Sequence, residues 1–458
     1  MFTLAYEENI ECEYALDSNF TCLCKVVKAA VDIDCSYLDL LAVPSGIPNN
    51  TVILELNNNN IQSINISSFI DLLELKSLNV LQNKLMHIVN GMFSDISSLQ
   101  VLNLDYNHIT AIEEFAFSGL NNLTELYLSG NGLTFIANTS FFDLHSLQKL
   151  DLSYNKLSAL PQGLLDTLES LVELNLQNNL LSSIPEYALT HLQNIQTLDL
   201  SFNKITSIQQ RLFEDQQRLE ILNLGTNSIA EIKDFSFSNL TSLNSLDIRV
   251  NKITHITQYM FYGLENLRQL EMRFNRISDI HAEGFFSLSN LQRIMLYQNK
   301  IATLKDFTFS KMTELNSLDI GRNMITGIKR NWFVGLKKLD SLSLYSNNIS
   351  SIESHAFDYL VLLSSLDFGE NPIECKQCKF QEFVEWSKTK PHIFLRGWCV
   401  DVKSAIADVK ISSFGKCTVH KQPEVPMYAY YIIGGGIIVI IAVVVVIVWH
   451  RRKKSLAN

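Results

Sequence analysis

The sequence predicts an α/β-type solenoid: a stack of short coils with one concave parallel β-sheet, closed at both ends by disulfide caps and followed by one C-terminal transmembrane helix. Three observations carry this. An Asn recurs every 24 residues from Asn59 to Asn371 inside a fixed apolar frame. The eight cysteines fall in two clusters, 12–35 and 375–417, and the 339 residues between them contain none. A run of 18 residues without charge, Ile432 to Trp449, stands just before a basic stop.

The frame is L-x-x-L-x-L-x-x-N-x-L/I. Its Asn falls at 59, 83, 107, 131, 155, 179, 203, 227, 251, 275, 299, 323, 347 and 371, and the residue two positions later is always Leu or Ile. A second column shares the period: Phe69, Phe93, Phe117 and Phe141, then Leu165 and Leu189, then Phe at every repeat from Phe213 to Phe357. The alternation L-x-L has the period of a strand, so it predicts a short strand with Leu facing inward. One coil cannot bury its Leu ladder alone. Stacked coils pair their strands in parallel and bury a continuous core, with the Phe column filling the far side under the returning segment. The Asn column reads as structural, because an amide offers donors and an acceptor where the coil turns sharply out of its strand. Strands crowd one side at roughly 4.8 Å and bulkier segments the other, so the array should curve with the sheet inside.

The length of 458 residues would ordinarily mean two or three domains, but a repeat array grows by adding coils. Net charge is −10, and without Arg451, Arg452, Lys453 and Lys454 the rest carries 33 basic against 47 acidic groups. Such a body lacks the basic footprint that nucleic acid requires. Two tight cysteine clusters at the ends of an array read as disulfide-stapled caps in an oxidising compartment. Seven N-x-S/T sequons point the same way: Asn19, Asn49, Asn65, Asn122, Asn138, Asn239 and Asn348.

The uncharged run extends to 22 residues counted from Tyr428, enough at about 1.5 Å per residue to cross a hydrocarbon core of roughly 30 Å. Tyr428, Tyr430, Tyr431 and Trp449 stand where interfacial aromatics belong, and the positive-inside rule puts HRRKKSLAN in the cytoplasm and everything before Tyr428 outside. The alternatives are a buried core helix and a tail-anchored protein with a cytosolic body. Residues 1–11 show no recognisable signal peptide. The expected organisation is thus an N-terminal segment 1–11, a cysteine cap 12–50, repeats 51–370, a second cap 371–417, a linker 418–427, a transmembrane helix 428–449 and a basic tail 450–458.

These motifs resemble extracellular leucine-rich-repeat proteins of the 24-residue type, such as Toll-like receptor ectodomains, Slit and the variable lymphocyte receptors, over about 12–417. The resemblance implies a horseshoe. Cys12-x9-Cys22-x-Cys24-x10-Cys35 followed by VPSGIP is similar to the family's N-terminal cap, which implies the pairs Cys12–Cys24 and Cys22–Cys35. NPIECKQCKFQEFVEW with Cys399 and Cys417 is similar to its C-terminal cap, which implies Cys375–Cys399 and Cys378–Cys417. The chain departs from each named relative. It lacks the cytoplasmic signalling domain of Toll-like receptors, the additional modules of Slit and the Thr/Pro stalk of variable lymphocyte receptors.

No catalytic constellation is present: no H-E-x-x-H, G-x-S-x-G, P-loop or dinucleotide fingerprint. Cys375-x2-Cys378 could open a zinc site, but a second close pair is missing, so neither metal nor cofactor is expected. Binding is the expected activity. Solvent-facing positions lie six, four and two residues before each Asn, with the residue just before it at the strand's exit. Early repeats place mostly small polar groups there, including Asn79, Asn103, Ser129, Ser153, Asn175, Gln177 and Ser201. The middle column is acidic at Glu55, Asp151, Asp199, Asp247, Glu271, Asp319 and Asp367, read either as solvated acids or as a contact for a basic partner. Repeats nine to thirteen differ, presenting Arg249, Val250, Arg273, Phe274, Arg293, Met295, Tyr297, Arg322 and Tyr345. Arg and aromatic residues are enriched in interface hot spots, and no sequon lies between Asn239 and Asn348. The sequence therefore predicts a plasma-membrane, single-pass type I recognition receptor or co-receptor for an extracellular protein or glycan, not for nucleic acid. It would have no signalling domain of its own. Homophilic or matrix adhesion is the alternative, separable by sedimentation of the ectodomain, and an enzyme is the distant third.

Overall fold

The computed structural model describes residues 9–11, 21–27, 30–376 and 378–414. Among these, fourteen repeat strands from Thr51–Glu55 to Ser365–Asp367 pair in parallel, each with its sequence neighbour. The register never slips: Leu198 opposes Leu222, which opposes Leu246, and the same match runs to Leu366. The central residue of each strand, Leu54 through Leu366, is at most 1% exposed. Burying one such side chain stabilises by roughly 1.5–3 kcal/mol, and here each is buried against the coils before and after it.

The Phe column stacks behind the sheet. Rings of Phe69, Phe93, Phe117 and Phe141 follow one another at 6.4, 6.0 and 5.9 Å, and Phe261, Phe285 and Phe309 at 6.0 and 5.8 Å. That step is wider than the roughly 4.8 Å between paired strands. The return side also carries short parallel pairings that the sequence did not reveal, such as His87–Ile88 with Ala111–Ile112 and Phe135–Ile136. They are two residues long, too short to leave an alternating pattern.

The Asn column makes the coil possible. The Asn203 amide donates to Leu176 O and Leu200 O at 2.9 and 3.1 Å and to Ser201 O, while its Oδ1 accepts the Leu181 N–H at 3.0 Å. The pattern repeats from Asn59, whose amide donates to Cys35 O and Leu56 O, to Asn371, whose Oδ1 accepts from Ile349. Immediately before each Asn the backbone is left-handed, with φ from 47° at Arg322 to 65° at Gly130. Thirteen of these fourteen residues are not glycine, and each pays roughly 1 kcal/mol for that conformation. The buried hydrogen bonds of the Asn offset it.

Each end of the ladder is covered. The hairpin Leu23–Val27 with Ala30–Asp34 is antiparallel, and Ala30–Asp34 then joins Thr51–Glu55 in parallel, with one register shift. The disulfide Cys22–Cys35 staples it. Cys24 is also disulfide-bonded, and its expected partner Cys12 lies outside the described residues, as does Asn19. At the other end the helix Cys378–Lys388 lays Phe383 and Trp386 against Phe357, at 5.5 and 5.2 Å between ring centroids. The strand Phe394–Arg396 extends the sheet by pairing with Ser365–Asp367, and Cys375–Cys399 closes the module. The pair Cys378–Cys417 and the span 428–449 fall outside the described side chains and residues. Among the described residues no helix is long and apolar enough to cross a membrane.

Removing one interior Asn should cost far more than one surface hydrogen bond. Asn203→Ala orphans the Leu181 N–H and takes from Leu176 O and Leu200 O one of the two Asn amides each accepts, so we expect a loss of about 2–3 kcal/mol, read as a lowered denaturant midpoint. Loss below about 0.5 kcal/mol would show that the ladder is not what holds the coil.

Candidate functional site

The long sheet leaves one face open, and short side chains and backbone geometry decide what stands on it. Neighbouring strands are so close that positions six, four and two before each Asn are mostly half-buried. Three of the serines placed there by the sequence are in fact buried: Ser129 and Ser153 bond to each other at 2.9 Å, and Ser201 donates to Asp199 at 2.6 Å. The left-handed residue before each Asn points outward instead, which exposes Tyr106, Tyr154, Phe202, Val250 and Phe274. Tyr106, Tyr154 and Phe202 went unnoticed in the sequence, where they form no local cluster. Their shared place one residue before the Asn was the available signal.

The acidic column is largely structural. Asp151, Asp199, Asp247, Asp319 and Asp367 each accept, through Oδ1, the backbone N–H two residues on, at 2.7–2.9 Å. Asn79, Asn103, Asn175 and Asn223 do the same in the repeats where Asn takes that place. Amides then cross to the acid of the preceding coil: Asn79 to Glu55 at 2.6 Å, Asn175 to Asp151 at 3.2 Å, Asn223 to Asp199 at 3.0 Å. Burial raises the carboxyl pKa of Glu55, Asp247 and Glu271 above the ordinary range, and hydrogen bonds or arginines only partly oppose it. Asp105 is pushed up to about 6, by burial first, although it accepts the Ser129 N–H.

In repeats nine to thirteen the structure joins most of the predicted residues. Arg249 pairs with Asp247 at 3.1 Å and Arg273 with Glu271 at 2.8 Å, each within its own coil. Phe274 meets Tyr297 edge-on at 5.8 Å, and the Arg322 guanidinium lies over the Tyr297 ring at 5.8 Å. Arg322 also bonds the Tyr345 hydroxyl, and Tyr345 donates to Glu370. That bond raises the Tyr345 pKa and lowers that of Glu370. Gly321 and Gly369 flank Tyr345: a Cβ on Gly369 would fall 3.0 Å from its ring. Exposed Arg293 and half-buried Met295 share the strand between those of Glu271 and Asp319. Val250 is exposed at the strand exit.

The strip runs on into the cap, which the sequence did not suggest. Arg396 sits over the Tyr345 ring at 5.9 Å and reaches Asp367 at 3.6 Å. Exposed Phe394 and Trp398 stand beside it. Its stretch FLRGW resembles a strand of the repeat frame, but it breaks the 24-residue interval.

The described sequons lie off this strip. Asn49, Asn65, Asn122, Asn138 and Asn348 are exposed and Asn239 is half-buried, none within a strand of the long sheet. Three hollows of about 220, 450 and 410 Å³ lie at the C-terminal cap and on the return side, away from the open face. Among the described residues no group of His, Cys, Asp or Glu could hold a metal.

An open sheet face on a coil ladder defines a repeat solenoid, a fold typical of binding and scaffold proteins rather than enzymes. The leucine rich repeat family model matches at 49–109, 97–157, 146–205, 169–227, 217–277, 272–325 and 313–373, so the chain belongs to that family. It resembles Toll-like receptor ectodomains. TLR13, in a TLR13-ssRNA13 complex, is 27% identical with a TM-score of 0.67 over 76% of this chain and 50% of the other. A leucine-rich-repeat protein of Leptospira interrogans is 28% identical with a TM-score of 0.63, covering 76% of this chain and 84% of the other. The Drosophila Toll–Spatzle complex shows the same fold at 22% identity and a TM-score of 0.59, covering 79% and 57%. The chain spans about half the length of the TLR13 chain it matches.

The raised pKa of Asp105 fixes a sign. Its folded pKa lies above its unfolded one, so its favourable contribution is full below about pH 4 and is lost as pH rises through about 6. Asp105→Asn keeps the acceptor for Ser129 and removes the half-buried charge. We expect it to stabilise the protein by about 1 kcal/mol at pH 7.5, after allowing for solvent screening, and to change nothing at pH 4. Equal effects at both pH values would refute the assignment.

Proposed function

We propose that the protein is a cell-surface recognition receptor or co-receptor that binds an extracellular protein or glycan through the face of its long sheet, centred on repeats nine to thirteen. The carrying observation is the linked strip Phe274, Tyr297, Arg322, Tyr345 and Arg396. Arginines and aromatics packed against one another lose less side-chain freedom on binding than isolated ones, which favours their use as anchors. The wider spacing of the Phe rings than of the strands supports a sheet on the inner, concave side. The gap in sequons between Asn239 and Asn348 leaves the strip clear of glycan. The ssRNA of the TLR13 complex is not carried over, because a chain of net charge −10 lacks the basic footprint for it.

We place the repeats outside the cell, with residues 428–449 as a single type I anchor and 450–458 as the cytoplasmic tail. The disulfides and the uncharged run before Arg451 support this reading. Signalling would fall to a partner.

Arg273→Glu with Tyr297→Ala tests the site. Both residues are half-buried surface groups whose loss should leave display on the cell intact. Each anchor should cost about 2 kcal/mol, roughly 30-fold in affinity for a ligand recovered by a screen of extracellular proteins and glycans. Normal display with undiminished binding would place the site elsewhere. Orientation has its own check: trypsin on intact cells should degrade the repeats and spare a tag at Asn458, and the reverse pattern would favour a tail-anchored, cytosolic body.

A further inference from the structure

We propose that repeats three to seven carry a second binding site, for a neutral, linear, β-linked polysaccharide lying across the strands. The inference rests on the reading above that this face is outside the cell. Tyr106, Tyr154 and Phe202 are 56%, 50% and 47% exposed, and each occupies the left-handed position before the Asn of its coil. They recur in every second repeat, and the repeats between them hold Gly130 and Asn178 at that position. Two strand spacings, about 9.6 Å, separate the backbone positions that carry successive rings. An extended β-linked chain advances by nearly that distance per pair of sugars. Successive sugars are flipped, so every second one presents the same apolar face. A ladder of rings at that step meets one sugar face each time, and the coils between bring no ring of their own at that position. The Tyr106 side chain packs against Gly130, where an added Cβ would fall 2.6 Å from its ring, and it is still 56% exposed.

Polar groups line the same path. Asp151 and Asp199 are held rigid by their own strands and by Asn175 and Asn223. A carboxylate has more acceptor sites than these bonds use, so the oxygens remain able to accept from sugar hydroxyls. Charge decides the class of chain. Asp105, Asp151 and Asp199 line this stretch, and its one lysine in the strand columns, Lys149, is paired with Glu173 at 3.0 Å. Sulfated glycans and nucleic acids would be repelled; an uncharged polysaccharide would not.

The test uses the full chain displayed on cells, with biotinylated cellohexaose and chitohexaose as probes. At least one hexamer should bind saturably, and its disaccharide about tenfold or more weaker, because it reaches one ring only. Tyr154→Ala with Phe202→Ala should weaken hexamer binding about 100-fold, about tenfold per ring, whereas Tyr154→Phe keeps it. Display and tryptic pattern of the double variant should match the parent, which separates lost binding from lost folding. No binding of either hexamer, binding unchanged in the double variant, or binding of heparin or single-stranded RNA in place of the neutral chains would each overturn the proposal. The trypsin assay on the same cells reports whether the repeats face outward. Failure with outward repeats therefore counts against the polysaccharide alone, and failure of that assay against the orientation.

Discussion

The amide of one buried asparagine per coil is the constraint on which the molecule depends. The chain must leave its strand, turn inward and cross to the return side within a few residues, and the turn strands backbone groups where water cannot reach. Asn203 satisfies two carbonyls and one N–H at once, and one carbonyl and that N–H belong to the preceding coil. Each Asn is therefore both the closure of its own turn and a clamp on its neighbour. No other uncharged side chain of this size carries both an acceptor and two donors, apart from the longer Gln.

That closure shapes the open face. The residue before each Asn is forced into the left-handed region, so its side chain points away from the core whatever its chemistry. Large apolar groups such as Tyr154, Phe202 and Val250 stand exposed there, at the strand's exit. Val250 is β-branched, a poor residue for that backbone, and its presence at φ 52° is a local cost. Three positions earlier, in nine of the fourteen coils, Asp or Asn holds the exit N–H. The acids that look like an electrostatic surface are thus first part of the coil, and their raised pKa values follow from being pressed between strands.

The ends follow another logic. A ladder of stacked coils exposes its core at both termini, and caps must hide it. The N-terminal hairpin does so with a disulfide and a strand that pairs onto the first repeat. The C-terminal cap does so with Phe383 and Trp386 against the last Phe of the column, and it adds a strand that carries Arg396 onto the open face. Cap and open face are therefore continuous: Arg396 over Tyr345 joins them.

The sequence by itself determined the period, the inward Leu and Phe columns, the Asn turn and the two cysteine clusters. Every one of these is a contact between a coil and its immediate neighbour, repeated at a fixed interval, so a one-dimensional pattern contains it. Only the tertiary structure decided which face residues are free. Ser153 and Ser201 are buried although their frame position faces the solvent, because strands stack too closely to leave a small side chain in water. Arg322 reaches Tyr297 and Tyr345 on the coils to either side, and Arg396 arrives from a strand that breaks the 24-residue interval. Those contacts depend on rotamers and on where a non-repeating cap lays its chain, and no periodicity encodes either.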